Sequence, residues 1–464
     1  MNKSFLSLGI IGIFLFFNFG CAQKEFLYYC APSLLPATER SMKTAGFWIS
    51  RHPSPDKIIL KSDEITEFNR NIQNELKLTQ DIVLLGPSYT GEKLKSEFKE
   101  TLESFRKRKL YTEDGRKAPR LRRGASGELS FYEAIQSNLK LDSVPVEIKP
   151  RYGLIVHTTD LRLLPTEKGL YVKPFDIDFD EIQNSSLDGG TPVVVLNQSK
   201  DGKWLYVVSR ESAGWVNIQN VGLSSLEQLK IFSNPQNFLV VTKSKADIFL
   251  DQDLRKFYDY ARMGTRLTIQ NRMNQDISMV TIPFRKDDGS VELKTGYVQR
   301  RDVHEGFLSY TARNMITQAF ELLNAPYGWG GMYGEQDCSA FLQEVFSTVG
   351  IFLPRNSQAQ AKVGKLLGQF DQNFPSQKKI ETLSKQTLGG ATILPLKGHI
   401  MLFLGTIDDR AYAIHATWGY REHGWPHDRL RVLNRVVVSD LSLGEGSRKG
   451  SLLKRLMSVR FIGK

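Results

Sequence analysis

Cys338 is the residue whose sequence context most strongly indicates a chemical role, that of a nucleophile. Asp337 before it is a good helix N-cap, and Phe341 and Val345 give the following turns an apolar face. Cys338 is therefore predicted to lie in the first turn of a buried helix, where the helix dipole stabilises a thiolate and lowers the thiol pKa. A buried and inert side chain is the more common alternative for any single cysteine.

Two histidines favour a nucleophilic role for this cysteine. His399 opens the apolar segment 399–404 and His415 lies in a second segment, 412–416, and both segments are predicted strands. Adjacent antiparallel strands would place both imidazoles on one face, near the start of the cysteine helix. His399 would then be the general base, and His415 would orient it and set its tautomer. Each histidine alone is more often a hydrogen-bonded core residue.

A zinc site is the competing chemistry in this region. His415, His423 and His427 are close in sequence, but Gly424 and Pro426 break any helix that would align them. Carboxylate partners at ligand spacing are also few. We therefore expect no metal and no other cofactor.

Residues from about 308 to 460 resemble the NlpC-type family of papain-like bacterial cell-wall cysteine peptidases. The matching segments occur in the family's order: Pro326-Tyr327-x-Trp329-Gly330-Gly331, Asp337-Cys338-Ser339, Leu353-Pro354-Arg355-x-Ser357-x-x-Gln360, Gly398-His399-Ile400 and Ile414-His415-Ala416. Each segment alone is a weak signal, whereas together they are a strong one. They cover the last third of the chain.

The resemblance implies roles for four residues around the scissile bond. Cys338 would be the nucleophile, His399 the base and His415 the third catalytic member. Tyr327 stands where the family places a tyrosine that helps to stabilise the oxyanion, together with a backbone N–H at the helix start.

The resemblance also implies substrate contacts. In family members with preceding SH3-like modules, the residues that flank the cysteine contact the free amine of an N-terminal L-Ala, and Asp337 and Ser339 match those positions. Arg355 would either pair with Asp337 or hold a substrate carboxylate, and the sequence does not distinguish the two.

The rest of the chain predicts a multidomain protein. Residues 21–148 are predicted to be mainly helical, with a helix start at Lys61-Ser62-Asp63-Glu64. Residues 149–228 and 236–305 are predicted to form two small all-β SH3-like barrels, because short β-branched runs alternate with Gly-containing turns. Gly296-Tyr297-Val298 takes the place of Gly214-Trp215-Val216, which indicates a divergent repeat. Residues 308–464, with helices before strands, are predicted to form an α+β papain-like peptidase domain.

Composition limits the other possibilities. The chain has 464 residues, a net charge of +12 and only three cysteines, too few for a disulfide scaffold or a four-cysteine zinc site. Residues 106–123 hold nine Lys or Arg against two acidic residues. This stretch is either a solvated loop or an anion-binding surface. It lacks interleaved aromatic residues, so nucleic acid is not an expected partner.

The first residues predict export. Lys3 precedes an uncharged apolar run that ends before Gly20-Cys21-Ala22, so residues 1–20 read as an export signal, with a retained anchor helix as the alternative. Gly20-Cys21 resembles the end of a bacterial lipoprotein signal, in which Cys21 is acylated. Cleavage after Ala22 would instead give a soluble exported protein. The expected location is the cell envelope, with membrane contact only through a lipid anchor at Cys21.

These observations favour an exported cysteine endopeptidase acting on murein peptides. The resemblance implies cleavage of the γ-D-glutamyl–L-diamino acid bond in fragments whose N-terminal L-Ala is free. Two alternatives stay open, a non-catalytic wall-binding scaffold and an acyltransferase on the same fold. The identity of the diamino acid, the role of Cys30 and the oligomeric state do not follow from the sequence.

Overall fold

The computed structural model describes residues 28–85, 89–118, 129–272, 275–371 and 373–464. The predicted export signal, Cys21 and part of the basic stretch lie outside these ranges. No helix within the described ranges combines the length and apolarity that crossing a membrane requires.

The described part of the N-terminal region contributes one short strand and five α-helices. They are β1 (Tyr28–Cys30), α1 (Ala45–Arg51), α2 (Ser62–Arg70), α3 (Ile82–Leu85), α4 (Gly91–Lys107) and α5 (Phe131–Leu139). A π-helical turn, Asn71–Glu75, continues α2. As the sequence indicated, α2 begins at Ser62, and the Glu64 side chain accepts a hydrogen bond from the Lys61 N–H.

The helices of this region are divided between two hydrophobic cores. Trp48 and Ile72 belong to the core of the C-terminal domain. Leu94 and Phe98 of α4 instead share a core with Trp215 of the β-sheet that follows. The described N-terminal helices therefore form no separate core. Some of them pack on the C-terminal domain, and others pack on the first sheet.

The first sheet, β-domain 1 (residues 151–224), has seven strands. They are β2 (Arg151–Ile155), β3 (Thr159–Arg162), β4 (Gln183–Leu187), β5 (Pro192–Gln198), β6 (Trp204–Val208), β7 (Ala213–Asn217) and β8 (Val221–Ser224). Their spatial order is β4-β3-β7-β6-β5-β2-β8. Helix α6 (Leu226–Ser233) leads to the next sheet.

The second sheet, β-domain 2 (residues 238–305), repeats this topology. Its strands are β9 (Phe238–Val241), β10 (Lys245–Phe249), β11 (Phe257–Arg262), β12 (Arg266–Arg272), β13 (Ile277–Arg285), β14 (Val291–Gln299) and β15 (Val303–Glu305). Their order is β11-β10-β14-β13-β12-β9-β15, so β14 holds the position that β7 holds in β-domain 1. The repeat predicted from Gly214-Trp215-Val216 and Gly296-Tyr297-Val298 is thus present in the strand order.

In the C-terminal domain three α-helices precede the first strand, in line with the prediction, and two more α-helices lie between later strands. Its elements are α7 (Ala312–Glu321), α8 (Cys338–Ser347), α9 (Ser357–Gln360), β16 (Lys365–Gln369), α10 (Ser376–Gln386), β17 (Thr392–Leu396), β18 (His399–Ile407), β19 (Arg410–Glu422), β20 (Arg429–Asp440), α11 (Leu452–Arg455) and β21 (Ser458–Phe461). The sheet order is β1-β20-β19-β18-β17-β21-β16. Strand β1 is parallel to β20, whereas the other neighbouring strands are antiparallel.

Alternation along β18 places helices on both faces of this sheet. Ile400 and Leu402 face the core that contains α7 and α8. Met401 and Phe403 face the opposite core, to which α10 contributes Ile380. His399 is the first residue of β18. This end of the strand lies next to Cys338, the first residue of α8.

Candidate active site

Helix α8 begins at Cys338, as the sequence predicted. The Asp337 carboxylate caps it by accepting hydrogen bonds from the N–H groups of Ser339 (3.1 Å) and Ala340 (2.9 Å). The Cys338 side chain is buried, and its sulfur accepts a hydrogen bond from the backbone N–H of Ile400. The sulfur therefore lies where the start of α8 meets the start of β18.

The two histidines are brought together as predicted. Strands β18 and β19 are antiparallel neighbours, and His399 Nε2 lies 2.8 Å from His415 Nδ1. His415 Nε2 in turn lies 2.9 Å from the hydroxyl of Ser439 on β20. If His399 Nε2–H donates to His415, then His399 Nδ1 is left unprotonated and able to accept a proton.

Ser439 extends this chain of hydrogen bonds beyond the residues identified from the sequence. It is fully buried and pairs with Ala413 across the sheet. Nothing in the local sequence singles it out, because its role depends on the strand pairing. Both ring nitrogens of His415 are hydrogen bonded within the protein, so neither is free to coordinate a metal ion.

The protonation states differ from the sequence prediction. Burial, reinforced by the neighbouring Asp337 carboxylate, raises the pKa of Cys338 to about 12. Burial lowers the pKa of His415 to about 3 and holds the pKa of His399 well below its ordinary value. The predicted lowering of the thiol pKa by the helix dipole is wrong for this arrangement, because desolvation of the charged sulfur outweighs the dipole. Burial therefore favours the neutral thiol and neutral imidazoles in this site.

Asp337 and Arg355 form a buried ion pair. Arg355 Nη2 lies 2.8 Å from Asp337 Oδ2, and Arg355 Nη1 lies 3.2 Å from Oδ1. Gly330 N–H also donates to Oδ2, and the Ser339 hydroxyl donates to Oδ1. The sequence left open whether Arg355 pairs with Asp337 or holds a substrate carboxylate. In the structure Arg355 pairs with Asp337.

This pairing places Asp337 and Ser339, the residues expected to contact the substrate amine, in one hydrogen-bonded group beside Cys338. Both Asp337 oxygens already accept hydrogen bonds from the protein, and the Ser339 hydroxyl also accepts from Arg355 Nη1 at 3.0 Å. In this structure the two side chains hold the start of α8 and Arg355 in place.

Tyr327 lies in the same cavity as the two histidines. This cavity has a volume of about 310 Å³ and is lined by Tyr327, His399 and His415, among others. Tyr327 pairs with Gln336, two residues before the cysteine, and its N–H donates to the Asn434 carbonyl at 3.1 Å. Burial raises the pKa of Tyr327, so its hydroxyl keeps its proton and can donate a hydrogen bond.

β-Domain 1 supplies one wall of the cavity through residues 163–182, the segment between β3 and β4. Phe179 packs edge-on against Trp329 and Trp418, with ring centroids 5.4 and 5.1 Å apart. The indole N–H of Trp329 donates to the Asp180 carbonyl at 3.1 Å, and that of Trp418 donates to Asp178 Oδ2 at 2.9 Å. Aromatic stacking and hydrogen bonds therefore fix the segment over the cavity.

A buried ion pair holds this segment to its own sheet. Arg162 Nη2 lies 2.7 Å from Asp180 Oδ2, and Arg162 also donates to the carbonyls of Thr166 and Lys168. Trp215, by contrast, is fully buried and packs on Phe98, so it serves the core and not the cavity.

Gly330 and Gly331 of the 326–331 motif allow the C-terminal domain to approach β-domain 1. A Cβ on Gly330 would come 2.8 Å from the Gln183 carbonyl, and one on Gly331 would come 2.7 Å from Ser186 Oγ. Both glycines have positive φ. Arg355 Nε also donates to Ser185 at 2.8 Å, so the ion pair beside Cys338 is tied directly to this sheet.

Comparison with protein families agrees with this architecture. Residues 324–406 match the model of the NlpC/P60 family, and residues 170–217 match that of the SH3 domain of the SH3b1 type. The C-terminal domain is an NlpC/P60 domain. An SH3 domain precedes it in the chain, and the resemblance noted in the sequence is confirmed. The chain therefore contains an NlpC/P60 family domain.

Solved structures extend the similarity beyond the NlpC/P60 domain. An NlpC/P60 endopeptidase from Photobacterium damselae subsp. piscicida matches with a TM-score of 0.72 at 20% identity, covering 94% of this chain and 99% of that one. The two chains therefore share a fold over nearly their whole length. An NlpC/P60 family protein from Bacillus cereus ATCC 10987 covers 68% of this chain and is itself covered completely, at 16% identity and a TM-score of 0.47.

One curated relative matches a short segment. A γ-D-glutamyl-L-lysine dipeptidyl-peptidase from Bacillus subtilis (strain 168) is 41% identical over 56 residues, which are 12% of this chain and 19% of the relative. The chain thus aligns with about one fifth of that relative's length.

Proposed function

We propose that this protein is an exported cysteine endopeptidase that cleaves murein stem peptides. The bond proposed is the one between γ-D-glutamate and an L-diamino acid, in fragments whose N-terminal L-Ala is free. The observation that carries the proposal is the hydrogen-bonded His399–His415 pair next to Cys338 at a helix start.

The site supports a reaction in which the proton moves together with the nucleophile. Cys338 sulfur forms a bond to the peptide carbonyl carbon while its proton passes to His399. Tyr327 and a backbone N–H at the start of α8 stabilise the oxyanion. The C–N bond then breaks as the His399 imidazolium gives its proton to the leaving amine. Water, deprotonated by His399, hydrolyses the thioester and restores the thiol.

The wall formed by the SH3 domain favours short substrates. Phe179 and its two tryptophan partners close one side of the cavity, which has a volume of about 310 Å³. A stem peptide still linked to its glycan strand continues past L-Ala, whereas a released fragment ends there. We therefore propose that this closure contributes to the preference for a free amine, beside the expected contact of the amine with Asp337.

Two further observations support the choice of bond and compartment. The curated relative is named for a γ-D-glutamyl-L-lysine bond, and it matches within a short part of this chain. The first twenty residues have the pattern of an export signal, which would deliver the enzyme to the murein layer.

The proposal is tested with L-Ala-γ-D-Glu-diaminopimelate as substrate and mass spectrometry of the products. The expected product is L-Ala-D-Glu, and Cys338→Ser should lower kcat/KM by about 10³-fold or more. Cys30→Ser, which changes an exposed cysteine, is the matched control and should keep full activity.

Other outcomes would replace the proposal. Equal activity of Cys338→Ser would remove this residue as nucleophile. A ligated peptide in place of a free acid would indicate an acyltransferase, and binding to sacculi without turnover of any peptide would indicate a scaffold. The N-acetylated peptide should be cleaved at least about 10-fold more slowly than the free amine, since each 1.4 kcal/mol lost is a factor of ten.

A further inference from the structure

The active-site cavity has a strongly basic lining. Among the described residues that line it are Lys173, Lys397, Arg421, Lys449 and Arg455, and no Asp or Glu lines it. Lys173 pairs with Asp176 at 3.3 Å. Within the described ranges, no carboxylate lies within ion-pair distance of the other four.

Three of these cations, Arg421, Lys449 and Arg455, form what we call the basic cluster. Burial lowers the pKa of Arg455, and burial together with the charges of Arg455 and Arg421 lowers the pKa of Lys449. Arg455 is half-buried whereas Arg421 and Lys449 are exposed, and like charges held close together without a counterion repel one another. An anion bound among them would remove this cost, which is the arrangement expected of a ligand site.

The fold holds Arg455 next to the catalytic base. The buried Lys379 amine donates to the carbonyls of Leu453, Lys454 and Leu456 at 3.0–3.2 Å, which fixes the end of α11. Leu456 also pairs with Leu396, three residues before His399. Arg455 is therefore carried on a rigid turn beside the start of β18.

The charges of Arg455 and Lys449 both act on His399. They add to burial and to His415 in lowering the pKa of the His399 imidazole. Since His399 donates its proton to the leaving amine, the leaving group must lie on this side of the scissile bond. The basic cluster and the leaving group thus occupy the same region of the cavity.

We infer that the basic cluster binds a carboxylate of the leaving amino acid. In an α-amino acid, the carboxylate is one carbon away from the amine that His399 protonates. A guanidinium beside the base can therefore donate two hydrogen bonds to this carboxylate. The enzyme would then prefer peptides that end at the residue after the scissile bond and keep its α-carboxylate free. This inference rests on the proposed function.

The substrate test compares two tripeptides that differ in one group. One is L-Ala-γ-D-Glu-diaminopimelate with a free α-carboxylate on its last residue, and the other carries a carboxamide there. The unmodified enzyme should prefer the carboxylate by about 10-fold or more in kcat/KM, since a hydrogen bond to a charged group contributes about 1.5–3 kcal/mol. Arg455→Gln should abolish the preference, because KM should rise more for the carboxylate peptide than for the carboxamide.

Lys454→Gln is the matched control, because Lys454 is an exposed neighbour that does not line the cavity. It should leave the preference unchanged. Equal cleavage of both peptides by the unmodified enzyme would overturn the inference. An equal loss on both peptides in Arg455→Gln and Lys449→Gln would also overturn it, because a general structural role would produce that result.

A second measurement does not depend on the substrate proposed. Iodoacetate and iodoacetamide both alkylate a thiol by displacement of iodide, but only iodoacetate is an anion. The ratio of their rates at Cys338, measured by mass spectrometry of the labelled peptide, should fall several-fold in Arg455→Gln and Lys449→Gln and stay constant in Lys454→Gln. An unchanged ratio in both variants would overturn the anion site, even if the enzyme cleaves no murein peptide.

Discussion

The two β-domains have one strand order but contribute differently to the active site. In the SH3 domain, β-domain 1, residues 163–182 join the second strand to the third, whereas in β-domain 2 only residues 250–256 make this connection. The longer segment carries Phe179 into the cavity. The shorter one contributes no residue to the cavity lining among the residues described.

β-Domain 2 contacts the NlpC/P60 domain away from the nucleophile. Lys245 pairs with Glu335 at 2.7 Å, and Arg262 lies 3.9 Å from Glu344 on α8. The two β-domains share a strand order, so the sheet topology does not explain why, among the described residues, only β-domain 1 lines the cavity. The difference lies in the length of one loop, residues 163–182. The following predictions test this difference.

The largest effect is expected from Arg162→Met. This substitution leaves Asp180 buried without its partner, so the free energy of unfolding should fall by about 3 kcal/mol. Peptidase activity should fall with it, because the Asp180 carbonyl holds Trp329. Urea unfolding followed by tryptophan fluorescence measures the first effect.

The matched change in β-domain 2 is Lys245→Gln, which breaks a partly exposed ion pair. Its cost should stay within about 1 kcal/mol and leave activity intact. Equal losses in the two variants would mean that both β-domains support the site to the same extent.

Phe179→Ala should have an intermediate effect. It removes two edge-to-face aromatic contacts of about 0.5–1.5 kcal/mol each, so kcat/KM for the free-amine peptide should fall by about 10-fold. Discrimination against stem peptides still linked to glycan should be lost, as measured by product analysis on both substrates. Phe257→Ala, an exposed aromatic in β-domain 2, should change neither value. Retained discrimination in Phe179→Ala would remove the SH3 segment as the cause of selectivity.

The smallest effect concerns Glu344, at the contact with β-domain 2. Burial raises the pKa of Glu344 to about 8, so the folded protein keeps a proton that the unfolded chain releases. This contribution to stability is complete below the ordinary pKa of a glutamate and is lost as the pH rises through about 8. Glu344→Gln should therefore raise Tm relative to the unmodified protein, on the order of 2 °C, at pH 9 but not at pH 5. Thermal unfolding at both pH values tests this, and a difference independent of pH would contradict it.

Local patterns were sufficient to predict the parts of the site that depend on neighbouring residues. The cap at Asp337 and the apolar positions after it predicted that a helix begins at Cys338. The alternation after His399 and around His415 predicted two strands. In both cases the signal is short-range periodicity, which the chain expresses without tertiary information.

Interactions between distant elements could not be predicted in this way. Ser439 joins the histidines only because β20 pairs with β19, and Asp337 is in an ion pair only because Arg355 folds back on it. The thiol pKa was predicted in the wrong direction, because the helix dipole can be inferred from a helix start whereas the extent of burial cannot.

The short strand β1 adds an N-terminal segment to the sheet of the C-terminal domain. Tyr28–Cys30 pairs with β20 at the edge of the catalytic sheet, and Trp48 packs on Tyr412 within its core. The earliest described residues of the chain thus complete a sheet whose other strands are made last by the ribosome. A polypeptide starting at residue 308 would expose both a bare β20 edge and an open apolar surface, and such edges promote aggregation. The two ends of the described chain therefore share one sheet and one core, across more than three hundred intervening residues.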